Sequence, residues 1–139
     1  MPRKRILFFS KSSGFEHAVI ADQNGRPALV ERVLAELGAK NNIEFTFSKD
    51  GSLFTPAYLA QFDAFFFYTT GDLTTAGTDR NPPMTAAGKA AFLQAVAQGK
   101  GFIGTHSATD TFYSPGSELI DTPARYKGDG DNADPYIKM

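Results

Sequence analysis

Ala64-Phe65-Phe66-Phe67-Tyr68, running into Thr69-Thr70-Gly71-Asp72, is the stretch that decides the fold. Five consecutive apolar residues are too few for a buried helix. Their lack of alternation rules out a strand with one wet face, so the run reads as a strand covered on both sides and then a loop. A strand of that kind sits in the interior of a parallel sheet, and Phe66 is expected to be core.

Working outward, the same pattern recurs. Ile6-Leu7-Phe8-Phe9 is a second unbroken apolar strand, ending in Ser10-Lys11-Ser12-Ser13-Gly14. From Ala28 to Leu37, the residues Leu29, Val30, Val33, Leu34 and Leu37 fall at helical spacing, with Pro27 suited to the first turn and Gly38 to the stop. Ile43, Phe45 and Phe47 alternate with polar residues and predict a half-exposed strand at the sheet edge. Thr55-Pro56 opens a short helix through N-cap and first-turn proline. Beyond Tyr68, Thr69 to Pro83 is a long loop rich in Thr, Gly, Asp and Pro. Thr85 caps a helix carrying Ala86, Ala90, Leu93 and Ala97 on one face and ending at Gly99. Gly101-Phe102-Ile103-Gly104 is a fourth strand, read as buried, that runs into Thr105-His106-Ser107. Strand and helix alternating in this way predict an α/β, doubly wound parallel sheet. After Phe112 the periodicity ends, and no regular element is expected from Ser114 to Met139.

With 139 residues, 42% hydrophobic and 21% charged, the chain has the composition of one globular domain. A net charge of -1 gives no field to draw nucleic acid or an anionic membrane. Cysteine is absent, which excludes disulfides, thiolate metal sites and cysteine nucleophiles. The basic start Arg3-Lys4-Arg5 followed by Ile6 to Phe9 is too short for a secretory signal, and no run reaches the roughly 18 apolar residues of a membrane span. A soluble, cytoplasmic protein is the expectation.

In an open α/β sheet, ligands collect at the carboxyl ends of the strands. Three loops leave such ends: Ser10 to His17, Thr69 to Asp72, and Thr105 to Asp110. The two histidines of the chain, His17 and His106, therefore belong to one rim. His106 follows its strand directly, at the strand-to-helix turn where hydrolases and amidotransferases display a nucleophile. An imidazole there can act as general base or metal ligand. Asp110 stands four residues on, a spacing that shares a face with His106 if the segment is helical. His17, His106 and Asp110, with Asp72, are the candidate ligands of a divalent metal. Ser107 reads as a hydrogen-bonding or capping residue, because the glycines of a serine nucleophile turn are missing. Ser10 to Gly14 is similar to a phosphate-cradling loop but leads to no immediate helix. Asp129, Asp131, Asn132 and Asp134 read as a solvated turn, since no bidentate glutamate follows as a calcium loop requires.

Gly14-Phe15-Glu16-His17, Tyr68-Thr69-Thr70-Gly71-Asp72 and above all Gly99-Lys100-Gly101-Phe102-Ile103-Gly104-Thr105-His106-Ser107-Ala108-Thr109-Asp110-Thr111 resemble the ThuA-like family. That family is named for trehalose utilisation and is related in fold to the class I glutamine amidotransferases. The resemblance implies a flavodoxin-like sheet and a role in sugar metabolism. Catalytic candidates are then His106, His17 and Asp110, and Ser10, Thr70, Gly71, Asp72 and Ser107 are candidates for binding a small-molecule sugar. Where the amidotransferases carry cysteine this chain has His106, which excludes glutaminase chemistry. Family members usually continue beyond Asp134-Pro135-Tyr136, so the resemblance implies the amino-terminal part of a longer domain. An open sheet edge would then favour a homo-oligomer. The sequence is compatible with a sugar-processing enzyme of hydrolase or isomerase type, a non-catalytic sugar-binding domain, or a flavin or phosphate binder through Ser10 to Gly14.

Overall fold

The strands β1 (Lys4–Phe9), β2 (Ile43–Ser48), β3 (Ala64–Phe67) and β4 (Gly101–Gly104) form one parallel sheet in the order β2-β1-β3-β4. The structure is a computed structural model and describes residues 1–112 and 133–139. The chain steps from β1 outward to β2, then returns past β1 to β3, so the order reverses between β1 and β3. That reversal leaves a crevice at the carboxyl ends of these two strands. Phe8 of β1 lies in register with Phe47 on one side and Phe66 on the other.

Side chains of successive strand residues point to opposite faces, and this sorts the aromatic runs into two cores. Leu7, Phe9, Phe65 and Phe67 face the helices α2 (Pro56–Leu59) and α3 (Ala86–Ala97). Phe8, Phe45, Phe47 and Phe66 face Val30 and Leu34 of α1 (Leu29–Asn41). The sheet is therefore doubly wound, as an α/β fold of flavodoxin-like kind. Phe67 is at the centre of the larger core, with ring centroids 4.8 Å from Phe92 and 5.3 Å from both Phe9 and Phe102. The helix starts at Thr55 and Thr85 are capped as their sequence signals require: Thr55 Oγ1 accepts the Tyr58 N–H and Thr85 Oγ1 the Gly88 N–H.

Four expectations are corrected. The helix α1 does not stop at Gly38 but at Asn42, which takes the left-handed conformation at φ 57°. Gly38 is inside the helix because a β-carbon there would stand 2.6 Å from the Ile43 carbonyl, so the glycine serves close packing on β2. The strand β4 is not buried: Gly101, Ile103 and Gly104 are exposed, and only Phe102 joins the core. Phe66 is half-buried, because α1 covers its face less completely than α3 covers that of Phe65 and Phe67.

The fourth correction concerns Asp134, which is buried rather than solvated. Its Oδ2 accepts a 2.5 Å hydrogen bond from Lys89 Nζ, and Oδ1 accepts the Tyr136 N–H. Asp129, Asp131 and Asn132 lie outside the described residues. The segment 133–139 returns to the core through Tyr136, whose hydroxyl donates to the Ala108 carbonyl at 2.8 Å. Among the described residues no helix is long and apolar enough to cross a membrane.

Candidate functional site

The parallel pairing continues past the ends of the strands. The Tyr68 N–H donates to the Phe9 carbonyl, the Ser13 N–H to the Thr70 carbonyl at 2.8 Å, and the Thr105 N–H to the Phe67 carbonyl. The Gly71 N–H reaches the Asp110 carbonyl at 2.7 Å, and the Phe112 N–H reaches the Gly71 carbonyl. Isolated parallel bridges join Ser12 to Thr70 and Gly71 to Thr111. A buried hydrogen bond of 2.8 Å between the Thr69 and Thr111 hydroxyls ties the second loop to the third. All three loops predicted to share a rim are thus joined by main-chain bonds at the crevice.

On that rim the two imidazoles meet. The ring centroids of His17 and His106 are 4.5 Å apart with the planes at 73°, an edge-to-face contact. His106 is exposed and has φ 51°, in the left-handed region that a side chain enters only when the surrounding structure holds it there. What holds it is the step from β4 into the 3₁₀ turn His106–Thr109, anchored by Ala108, which is buried and bonded to Tyr136. This is the strand-to-turn display position expected for a reactive group, here presenting imidazole.

Two aromatic rings complete the surface. Tyr68 stands 5.6 Å from His17 and 5.5 Å from His106 by ring centroid, and Phe15 stands 4.8 Å from His17. Partial burial raises the Tyr68 phenol, so it keeps its proton through the neutral range. Phe15 is 67% exposed. Neither ring was a sequence candidate. Phe15 lies in the Gly14-Phe15-Glu16-His17 motif and Tyr68 ends the deciding strand, but their convergence depends on distances between loops.

The remaining candidates fall beneath or beside the imidazoles. Ser10 is buried at the end of β1, with its N–H donated to the Ser48 carbonyl. Thr70 is buried, and its hydroxyl donates to Ser107 Oγ at 3.0 Å, which fits the reading of Ser107 as a hydrogen-bonding residue. Gly71 is buried at φ 84°. Asp72 Oδ1 accepts both the N–H and the hydroxyl of Thr74, organising the turn that follows. Asp110 caps the 3₁₀ turn, donating its N–H to the Ser107 carbonyl. Because a 3₁₀ turn has three residues per turn, position i+4 is rotated roughly a third of a turn from His106, and the shared face expected of an α-helix does not form.

The metal set is therefore not assembled. Among the described residues no group of three or more histidine, aspartate or glutamate side chains is placed to hold a metal ion. His17 and His106 face each other, and Asp110 does not join them as a third ligand. The Ser10 to Gly14 loop likewise lacks an open phosphate cradle. Its Ser12 carbonyl accepts the Thr78 N–H, its Ser13 N–H is donated, and the next long helix starts only at Leu29. The hydroxyls of Ser12 and Ser13 are buried and find no partner among the described residues.

The flavodoxin-like parallel sheet thus carries His106 on the turn that follows β4, beside His17. The model of the family ThuA, described as trehalose utilisation, matches residues 5–128, and the chain belongs to that family. No curated protein matches the chain, and no solved structure does.

Proposed function

We propose that the protein is a sugar-processing enzyme of hydrolase or isomerase type whose acid–base centre is the pair His17 and His106. The observation that carries the reading is the 4.5 Å contact of the two imidazoles at the strand crevice. Imidazole takes and releases protons near neutral pH, so one ring can withdraw a proton from a sugar hydroxyl or α-carbon while the other returns one to a neighbouring atom. The exposed ring of Phe15 and the ring of Tyr68 offer flat apolar surface for the C–H face of a pyranose. Membership in a trehalose-utilisation family supports carbohydrate as the ligand class.

The test is incubation of the purified protein with trehalose, related disaccharides and keto-sugars, followed by product analysis. Turnover that disappears in both His106→Ala and His17→Ala is the expected result. Binding without turnover would make the same rim a non-catalytic sugar site, and undiminished turnover in His106→Ala would falsify the acid–base assignment.

A further inference from the structure

His17 sits in a turn with no regular structure of its own, closed by the Ile20 N–H donating to the His17 carbonyl at 3.1 Å. Both ends of this turn are held by one group from another element. The Nζ of Lys49, the residue directly after β2, donates to Glu16 Oε2 at 2.7 Å and to the Ile20 carbonyl at 2.7 Å. Glu16 precedes the histidine and Ile20 closes its turn, so a single ammonium spans the segment that carries the imidazole. The Lys49 and Glu16 side chains are only 12% and 10% exposed, which shields the pair from the water that weakens surface ion pairs. Ile20 itself is buried against Phe8 and Leu34, so the far end of the turn is fixed in the core as well.

We propose that Lys49 is a positioning residue: through Glu16 and the Ile20 carbonyl it holds His17 against His106. The proposal rests on the paired-imidazole reading of the site. Lys49 acts through its two bonds to the turn, one to the Glu16 carboxylate and one to the Ile20 carbonyl. The Glu16 carboxylate is the side-chain arm of the clamp. Without the ammonium, a nearly buried carboxylate loses its partner and swings toward water, taking residue 17 with it. Small displacements of this kind matter because proton transfer depends on the reacting groups being held in place.

The experiment is a proton NMR measurement of the nuclear Overhauser cross-peak between the His17 and His106 ring protons. With only two histidines in the chain, His17→Ala and His106→Ala assign the signals directly. The expected result is a cross-peak in the wild type and in Lys49→Arg, which keeps the charge and two donors, and its loss in Lys49→Met with the β1 amide pattern unchanged. If Lys49→Met does not fold, Glu16→Ala is read in its place and is expected to lose the cross-peak too. A full-strength cross-peak in either folded variant overturns the clamp while leaving the acid–base reading of the site standing. Absence of the cross-peak from the wild type overturns the imidazole pair and the clamp together. Turnover lost in both histidine variants, beside an unchanged Lys49→Met cross-peak, keeps the proposed function and rejects only the role of Lys49.

Discussion

The α-carbon of Gly71 approaches the carbonyl oxygen of Ser13 so closely that a β-carbon would stand 2.0 Å from it. Gly71 also has φ 84° and takes part in both main-chain bonds that tie the second loop to the third. Gly71→Ala is therefore expected to cost roughly 2 kcal/mol or more, from left-handed strain together with the displacement of Ser13. Urea denaturation of the variant checks it. Unchanged stability would mean that the first two loops separate without cost.

At His106 backbone strain and the proposed acid–base role fall on one residue. His106→Ala should abolish turnover and change stability little, because the imidazole is exposed. His106→Gly should be equally inactive but more stable than His106→Ala by about 1 kcal/mol, since glycine adopts φ 51° freely. Thermal melts of the two variants side by side decide this. A less stable glycine variant would count against strain at the turn.

Phe67→Ala should cost about 3 to 5 kcal/mol, given full burial and ring contacts to Phe9, Phe54, Phe92 and Phe102. Phe66→Ala, on the thinner side of the sheet, should cost about 2 kcal/mol. Denaturation midpoints give the ranking. An equal or reversed order would contradict the assignment of faces along β3.

Lys11 is fully buried and its Nζ donates to the Asn81 carbonyl at 3.0 Å. Burial lowers its ammonium below the ordinary 10.5, with Asp50 and Asp72 pulling the other way. The folded state therefore binds fewer protons than the unfolded state between the lowered value and 10.5, so this group's contribution to stability rises with pH through that window. Lys11→Met should be more stable than the wild type at pH 7 by about 1 kcal/mol, with the gap narrowing as pH climbs toward 10.5. The Asn81 carbonyl keeps the Gly77 N–H in the variant. A methionine variant that is less stable at pH 7 would show the ammonium to be adequately paired.

Tyr136 titrates in the opposite sense. Burial raises its phenol well above the ordinary 10, so the neutral form is favoured in the folded protein. That contribution is complete below pH 10 and is lost as the unfolded chain ionises above it. Tyr136→Phe should cost about 1 to 2 kcal/mol at pH 7, through loss of the bond to Ala108, and the cost should shrink above pH 10. Stability curves of both proteins at pH 8 and pH 11 test it. A constant difference would show that the hydroxyl is open to solvent.

Much of this architecture can be read directly from the chain, for reasons visible at particular residues. The runs Ile6 to Phe9 and Ala64 to Phe67 are apolar on both faces, and only an interior parallel strand needs that. Thr55 and Thr85 announce helix starts because the cap is a local hydrogen bond. His17 and His106 could be placed on one rim because each follows the end of a strand of the same sheet. Gly38 reads as a stop because a glycine that ends a helix and one that lets it pack closely are the same residue; only the nearness of Ile43 tells them apart. The place of Asp110 depended on the turn after His106 being α or 3₁₀, and four residues hold too little pattern to decide. Tyr68, Phe15 and the grip of Lys49 on the His17 turn arise between loops and have no signature in any one segment.

Because Ser12, Thr70, Gly71 and Thr111 prolong the ladder, the crevice is made of sheet rather than of loop in mechanical terms. Opening it means breaking strand-like pairing, so amide exchange at Ser13, Gly71 and Phe112 should be as slow as within β3 itself. The ordering entropy of the rim is thus settled when the chain folds and not when a ligand arrives, and affinity need not be drawn down to organise it. The side chain at position 106 can change without disturbing that framework, since its backbone conformation is set by the turn. A scaffold of this kind is indifferent to what it displays, because the main-chain ladder and not the displayed side chain holds it together.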